Sequence, residues 1–167
     1  MRWVTTENVQ IARLASAWLI KRFIDPGAEF AFVSRGTEVS AVTDGTPFHM
    51  TGAELANQNG RGTFEVIADA HGLTDKDPVL VDLGQMVRAA DAIHSKVAFR
   101  GVPMREAAPA DAPPEAAGLQ VLLHGSRLVA ASDLDAIERA SASLDAIYAS
   151  LQARRERASA GTPREAL

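Results

Sequence analysis

Apolar residues recur at Ile11, Leu14, Ala15, Trp18 and Leu19, the three-to-four spacing of one helix face. Ile20, Phe23 and Ile24 fall elsewhere on the wheel, so the segment is apolar nearly all round and predicts a central, buried helix. Asp25-Pro26-Gly27 closes it, and the chain leaves extended toward Phe30. Arg22 breaks the pattern. Taking Ile11 as zero, Arg22 falls at about 20°, between Trp18 at about 340° and Ala15 at about 40°. A guanidinium beside the richest apolar face must snorkel out or meet a carboxylate.

The other elements are shorter. Arg2 to Thr5 reads as a short strand or an extended entry, and Thr6 or Asn8 can cap the central helix with Glu7 in its first turn. Phe30, Phe32 and Val33 favour a strand over Glu29 to Val33. Glu38 to Val42 reads as a second strand, and Asp44-Gly45 as a hairpin signal before a third over Thr46 to Met50. These three strands predict a small antiparallel sheet. Thr51-Gly52-Ala53-Glu54 has the capping-box pattern and predicts a short helix to about Asn57. Asn59 to Gly62 is a loop. Thr63 then caps a helix that puts Phe64, Ile67, Ala68 and His71 on one face and ends at Gly72. Asp77-Pro78 starts another, with Val79, Leu83, Met86, Ala90 and Ile93 as its core stripe. Residues 101–114 hold four prolines and read as an exposed Pro/Ala-rich loop. Glu115 to Leu128 is a helix with Leu119, Leu122 and Leu123 inward. Ser132 caps the last helix, along which Leu134, Ile137, Leu144, Tyr148 and Leu151 recur. Arg154, Arg155 and Arg157 complement the dipole at its end. Residues 158–167 read as a disordered tail. The expected class is a mostly α-helical α+β fold: five or six helices around a central buried helix, with the small sheet, in a single domain over residues 1–157.

Composition narrows the function classes. The 167 residues suffice for one domain with a real core. With no cysteine, a disulfide framework, a thiolate metal site and a cysteine nucleophile are all excluded. A net charge of −4 argues against a general nucleic-acid surface, and 5% aromatics give no platform for stacking bases. No apolar run approaches the ~18 residues of a membrane span and the N-terminus lacks a signal layout, so the expectation is a cytoplasmic protein.

Four features could carry chemistry. Arg13, Arg22, Asp25 and Glu29 surround the central helix. They read either as a structural ion pair fixing the chain reversal, or as a site where Arg22, beside Trp18, offers a fork-shaped donor to an anion. Asn59-Gly60-Arg61-Gly62-Thr63-Phe64-Glu65 puts two glycines and an arginine before a helix start, which reads as a tight turn or an oxyanion site. It lacks the Lys-Ser/Thr ending of a phosphate-binding loop. The histidines, His49, His71, His94 and His124, show no ligand spacing. His71 reads as a packed residue near last-turn carbonyls, and His94 and His124 as surface positions. A metal held by His49, Glu54, Glu65 and Asp91 is conceivable in space, though nothing local demands it, and no cofactor is expected. Arg88 and Asp91 read as a solvated i,i+3 pair. There is no G-x-S-x-G nucleophile elbow.

Several motifs resemble one family. W-V-T at Trp3 to Thr5 and A-W-L-I-K-R-F-I-D-P-G-A-E-F at Ala17 to Phe30 are similar to the C-terminal domain of the chromate-resistance protein ChrB. Further matches are T-P-F-H-M-T-G-A-E-L at Thr46 to Leu55, G-T-F-E at Gly62 to Glu65 and H-G-L at His71 to Leu73. M-V-R-A-A-D at Met86 to Asp91, E-A-A-G-L at Glu115 to Leu119 and L-D-A-I-Y-A at Leu144 to Ala149 complete the set. The resemblance implies a link to chromate-responsive regulation, with the DNA-contacting role in an N-terminal half that this chain lacks. It also implies departures. The family often has aspartate at Ala12, cysteine at Ser16, proline at Ala17, histidine at Asn57, cysteine at Gly62 and histidine-aspartate at Arg88-Ala89. The replacements remove metal-capable side chains, whereas Trp18, Arg22, Asp25, Glu29, Glu54, Glu65 and Asp91 match.

Three functions are therefore weighed. The first is a regulatory or resistance module binding a small anion, an oxyanion among the candidates, near Arg22, Arg61 and Thr63. Trp18 would wall that site and Asp25 or Asp91 would orient the arginines. The second is a small enzyme with Glu54 or Glu65 as general acid/base beside Arg22 and His49. The third is a structural or partner-binding module whose last helix pairs with a regulator or forms a homodimer.

Overall fold

A computed structural model describes residues 1–161. Strand β1 (Arg2–Thr6) buries Trp3, Val4 and Thr5 and forms the middle of a three-stranded sheet, flanked by β2 (Glu29–Val33) and β3 (Thr46–Pro47). Both pairings are parallel, with Trp3 opposite Phe30 and Thr46. The expected antiparallel sheet is thus corrected. A helix joins β1 to β2, and a strand-helix-strand crossover returns the chain in the original direction. The stretch expected as a strand over Glu38 to Val42 holds a 3-10 turn at Val39–Ala41. Asp44-Gly45 makes no hairpin either. Gly45 (φ 118°) lets the backbone lie against β1, where a Cβ would stand 2.8 Å from Val4 Cγ2 and 2.9 Å from the Arg2 carbonyl.

Helix α1 (Ile11–Leu19) is the centre of the molecule, as the all-round apolar pattern predicts. Ile11, Leu14, Ala15, Trp18 and Leu19 are buried, and four further helices pack against this one. Gln10, rather than Thr6 or Asn8, takes the N-cap position, with no capping bond from its side chain, and the first turn has no acid. The Asn8 and Val9 N–H groups instead donate to Asp133, more than a hundred residues away. Past Leu19 the helix widens into a π-helical turn (Ile20–Ile24), closed by the Asp25 N–H donating to the Ile20 carbonyl at 2.7 Å. Lys21 and Arg22 lie on the exposed side of that turn.

The helix expected over residues 51–57 is absent. A single polar-rich turn with no following apolar run cannot offset helix nucleation, and the segment is held instead by a parallel bridge between Phe48 and Leu55. Helix α2 (Thr63–Ala70) follows the loop. Helix α3 (Pro78–Arg100) starts as expected: Asp77 accepts from the Val79 N–H at 2.9 Å, Pro78 occupies the first position, and the whole stripe from Val79 to Ile93 is buried. Within residues 101–114 one turn of helix, α4 (Met104–Ala107), inserts the fully buried Ala107. Helix α5 (Ala116–Leu128) buries Leu119 and Leu123, but Leu122 is 50% exposed, contrary to its expected inward place. Helix α6 (Asp133–Ala160) is capped by Ser132 and runs past residue 158, where the tail was expected to begin; residues 162–167 of that tail lie outside the described residues. Ile137, Leu144 and Leu151 are buried, whereas Leu134 at the first turn is exposed. Arg155 grips Asp82 of α3 with two hydrogen bonds and Arg154 meets Glu115, so the basic end of α6 ties it to its neighbours. Among the described residues, no helix is long and apolar enough to cross a membrane.

Candidate functional site

The approach of α1, α2 and α3 leaves a cleft of about 440 Å³, roofed by the loop from Asn57 to Gly62. Ala12 of α1, Thr63 and Phe64 of α2, and Gly84, Arg88 and Asp91 of α3 line it with that loop. Close approach of α2 and α3 depends on Gly84, where a Cβ would meet Glu65 Cγ at 2.8 Å. The loop is fixed from within. Asn57 Oδ1 accepts from the Thr63 N–H at 2.7 Å and from its hydroxyl at 2.8 Å, and the Glu65 carboxylate accepts from the Gly62 N–H at 2.7 Å. Both act as caps for α2, one from the loop and one from inside the helix. His49, in the left-handed region at φ 50°, places Nδ1 2.7 Å from the Thr63 hydroxyl behind the cleft.

Charge in the cleft is distributed unevenly. Arg88 donates to the Gly60 carbonyl at 2.9 Å and lies 3.5 Å from Glu65. Arg61 donates to the Glu65 carbonyl and to Asp69. Asp91 accepts a long bond, 3.4 Å, from the Ala12 N–H. Burial pushes its carboxyl above the usual range, only partly opposed by that N–H and by Arg13. Burial, with Arg13 nearby, likewise pushes His49 down to about 4, so the ring is neutral at pH 7.

The residues named from the sequence divide between places. Arg61, Thr63 and Asp91 line the cleft, and Glu65 is turned toward its edge through Gly62 and Arg88. Trp18 and Arg22 belong elsewhere. They face α6 in a smaller notch of about 250 Å³ with Lys21, Glu138, Ser141 and Asp145. There the Trp18 indole donates to Asp145 at 3.0 Å and Arg22 lies 3.4 Å from the same carboxylate. Arg22 thus both reaches solvent and meets an acid, but the acid is Asp145 rather than Asp25. Asp25 accepts from the Met1 amine and the Trp3 indole, which hold its carboxyl below the usual range. Glu54 lies in a separate groove with Arg61 and Asp69, so Glu54, Glu65 and His49 do not converge as an acid/base set. Among the described residues no three His, Asp or Glu side chains gather where they could share a metal ion. The α2 start that reads as an oxyanion site is occupied by Asn57 and Glu65, so an anion there would have to displace a carboxylate.

Sequence reasoning by spacing alone missed Ala12, Asn57 and Gly84, and read Arg88 and Asp91 as a solvated surface pair. The signal available was the set of departures: four of them, Ala12, Asn57, Gly62 and Arg88, line this one cleft. His94 and His124, expected on the surface, pair instead between α3 and α5 with ring centroids 4.8 Å apart, and His94 is 4% exposed. His71 bonds the last-turn carbonyl of Ile67 as expected, though its ring is exposed.

A small parallel sheet and a bundle of helices, with a cleft where α1, α2 and α3 meet, make this an α+β fold rich in helix. Residues 3–151 match the family described as ChrB, C-terminal domain, and the chain belongs to that family. It is 30% identical over 156 residues to Protein ChrB of Cupriavidus metallidurans, covering 93% of this chain and 42% of that protein. The chain therefore spans about two fifths of the length of this curated relative. No solved structure matches it.

Proposed function

We propose that the domain binds a small oxyanion in the cleft between α1, α2 and α3, in a chromate-resistance-associated regulatory role. The observation that carries this reading is the surplus of donors over free acceptors in the lining. Both acids are engaged: Glu65 by the Gly62 N–H and Arg88, and Asp91, whose carboxyl burial pushes above the usual range, by the Ala12 N–H it accepts from at 3.4 Å. Asn57 turns its oxygen to Thr63, which leaves its NH2 group as a donor at the wall. Arg61 and Arg88 keep N–H groups beyond those already bonded. The cation assigned to the ligand is therefore Arg88, with Arg61 beside it, and not Arg22. Membership of the ChrB C-terminal family supports the resistance-associated role.

Thermal unfolding with added chromate, sulfate or phosphate tests the reading. A ligand at 100 times its dissociation constant stabilises the native state by about 2.7 kcal/mol. At least one of the three should do so in the parent protein, much less in Arg88→Gln, and undiminished in Arg22→Gln. No stabilisation by any of them, or equal stabilisation of Arg88→Gln, would defeat it.

A further inference from the structure

The His94–His124 pair is the other concentration of chemistry in the molecule, and the anion cleft makes no use of it. His94 projects from α3 and His124 from α5, with Gln120 one turn before His124. His94 and Gln120 are 4% and 3% exposed. Phe99 closes one side edge-on to His94 at 6.0 Å. Three polar atoms of these side chains are poorly served. His124 Nδ1 and Gln120 Oε1 are buried and have no hydrogen-bond partner among the described residues. His94 Nδ1 has only the Gln120 amide, at 3.3 Å. Buried polar atoms in a native fold are nearly always satisfied, so this cluster needs a complement.

We propose that His94, His124 and Gln120 form a binding site for a single divalent transition-metal cation of the zinc, nickel or copper class. Two neutral imidazole nitrogens and an amide oxygen are all lone-pair donors. One electrophile completes the three together, and borderline cations prefer imidazole ligands. The ring spacing fits. An ion about 2.1 Å from each ligating nitrogen lies about 3.2 Å from each ring centre, so two rings sharing it near a tetrahedral angle stand about 5 Å apart. The observed separation is 4.8 Å. The Gln120 amide needs only a half-turn about its last bond to bring Oε1 where Nε2 now faces His94.

Calorimetric titration of zinc or nickel chloride into the untagged full chain is the test. One saturable equivalent is expected, with affinity lowered about tenfold or more in His124→Ala and in Gln120→Leu. His71→Ala, a control at an exposed histidine, should bind as the parent does. His124 is only half-buried, so its variant decides the matter if substitutions at His94 or Gln120 unfold the domain, which circular dichroism reports. No saturable binding to the parent, unchanged affinity in His124→Ala, or an equal loss in His71→Ala would overturn the proposal.

Discussion

His49 carries more of the structure than its place in a turn suggests. At φ 50° it occupies a region that asparagine and glycine adopt more readily, and its ring is committed to the Thr63 hydroxyl at the start of α2. Burial lowers its pKa from the ordinary 6.5 to about 4. The unfolded chain therefore binds the proton more tightly, and stability rises with pH across this window. The neutral ring's contribution is complete above about 6.5 and declines as pH falls toward 4. Between about pH 7.5 and about pH 5 this single group should remove about 2 kcal/mol of stability. His94, also lowered by burial, adds in the same direction. Urea unfolding at the two pH values measures the loss. His49→Asn keeps a residue tolerant of the left-handed region and should make the pH dependence shallower; an unchanged slope would show that another group carries it. None of this was legible from spacing, because a histidine's burial is decided by what packs over it rather than by its neighbours in sequence.

At the level of elements, glycines separate helix surfaces that are used from those that are not. Gly84 of α3 faces Glu65 and Phe64 of α2, where a Cβ would stand 2.8 Å from Glu65 Cγ and 3.3 Å from the Phe64 ring. That ring lies stacked near Trp18, so it has little room to yield. Gly118 and Gly125 of α5 face open space. Gly84→Ala should destabilise by about 1–3 kcal/mol through overpacking, while Gly118→Ala should stabilise by about 0.5–1 kcal/mol through helix propensity. Chemical denaturation of the two variants beside the parent checks the pair; equal effects would mean that α2 and α3 are not held this closely. The pattern of the helices was readable in advance. The apolar circumference of α1, the Asp77-Pro78 start of α3 and the Ser132 cap of α6 are local signals, and local physics enforces them. The π-helical turn at Ile20–Ile24 was not, since it changes which way Lys21 and Arg22 project without changing the apolar pattern before it. Leu122 followed the helical period of its neighbours but faces outward, because the sequence does not say how wide a stripe the adjacent helices cover.

Across the whole molecule the partners come from far apart in the chain. Strand direction is one case: three short apolar runs near a Asp-Gly pair look antiparallel, yet the crossover through α1 makes the sheet parallel. The cleft is another. The glycine-rich loop and the α2 start stand out in the sequence, whereas Ala12 and Arg88 join them only through the packing of α1 and α3. Arg22 and Arg61, grouped by chemistry when only the sequence is considered, belong to different surfaces, one facing Asp145 and the other Asp69. The proposal of a small-anion site is thus one of place: it puts the ligand in the cleft of α1, α2 and α3, not in the notch at the end of α1. The most direct test is backbone amide nuclear magnetic resonance during titration with sulfate and chromate. The account predicts saturable shifts concentrated at Ala12, Asn57, Gly62, Arg88 and Asp91. Shifts centred on Trp18, Arg22 and Asp145, or none that saturate, would contradict it.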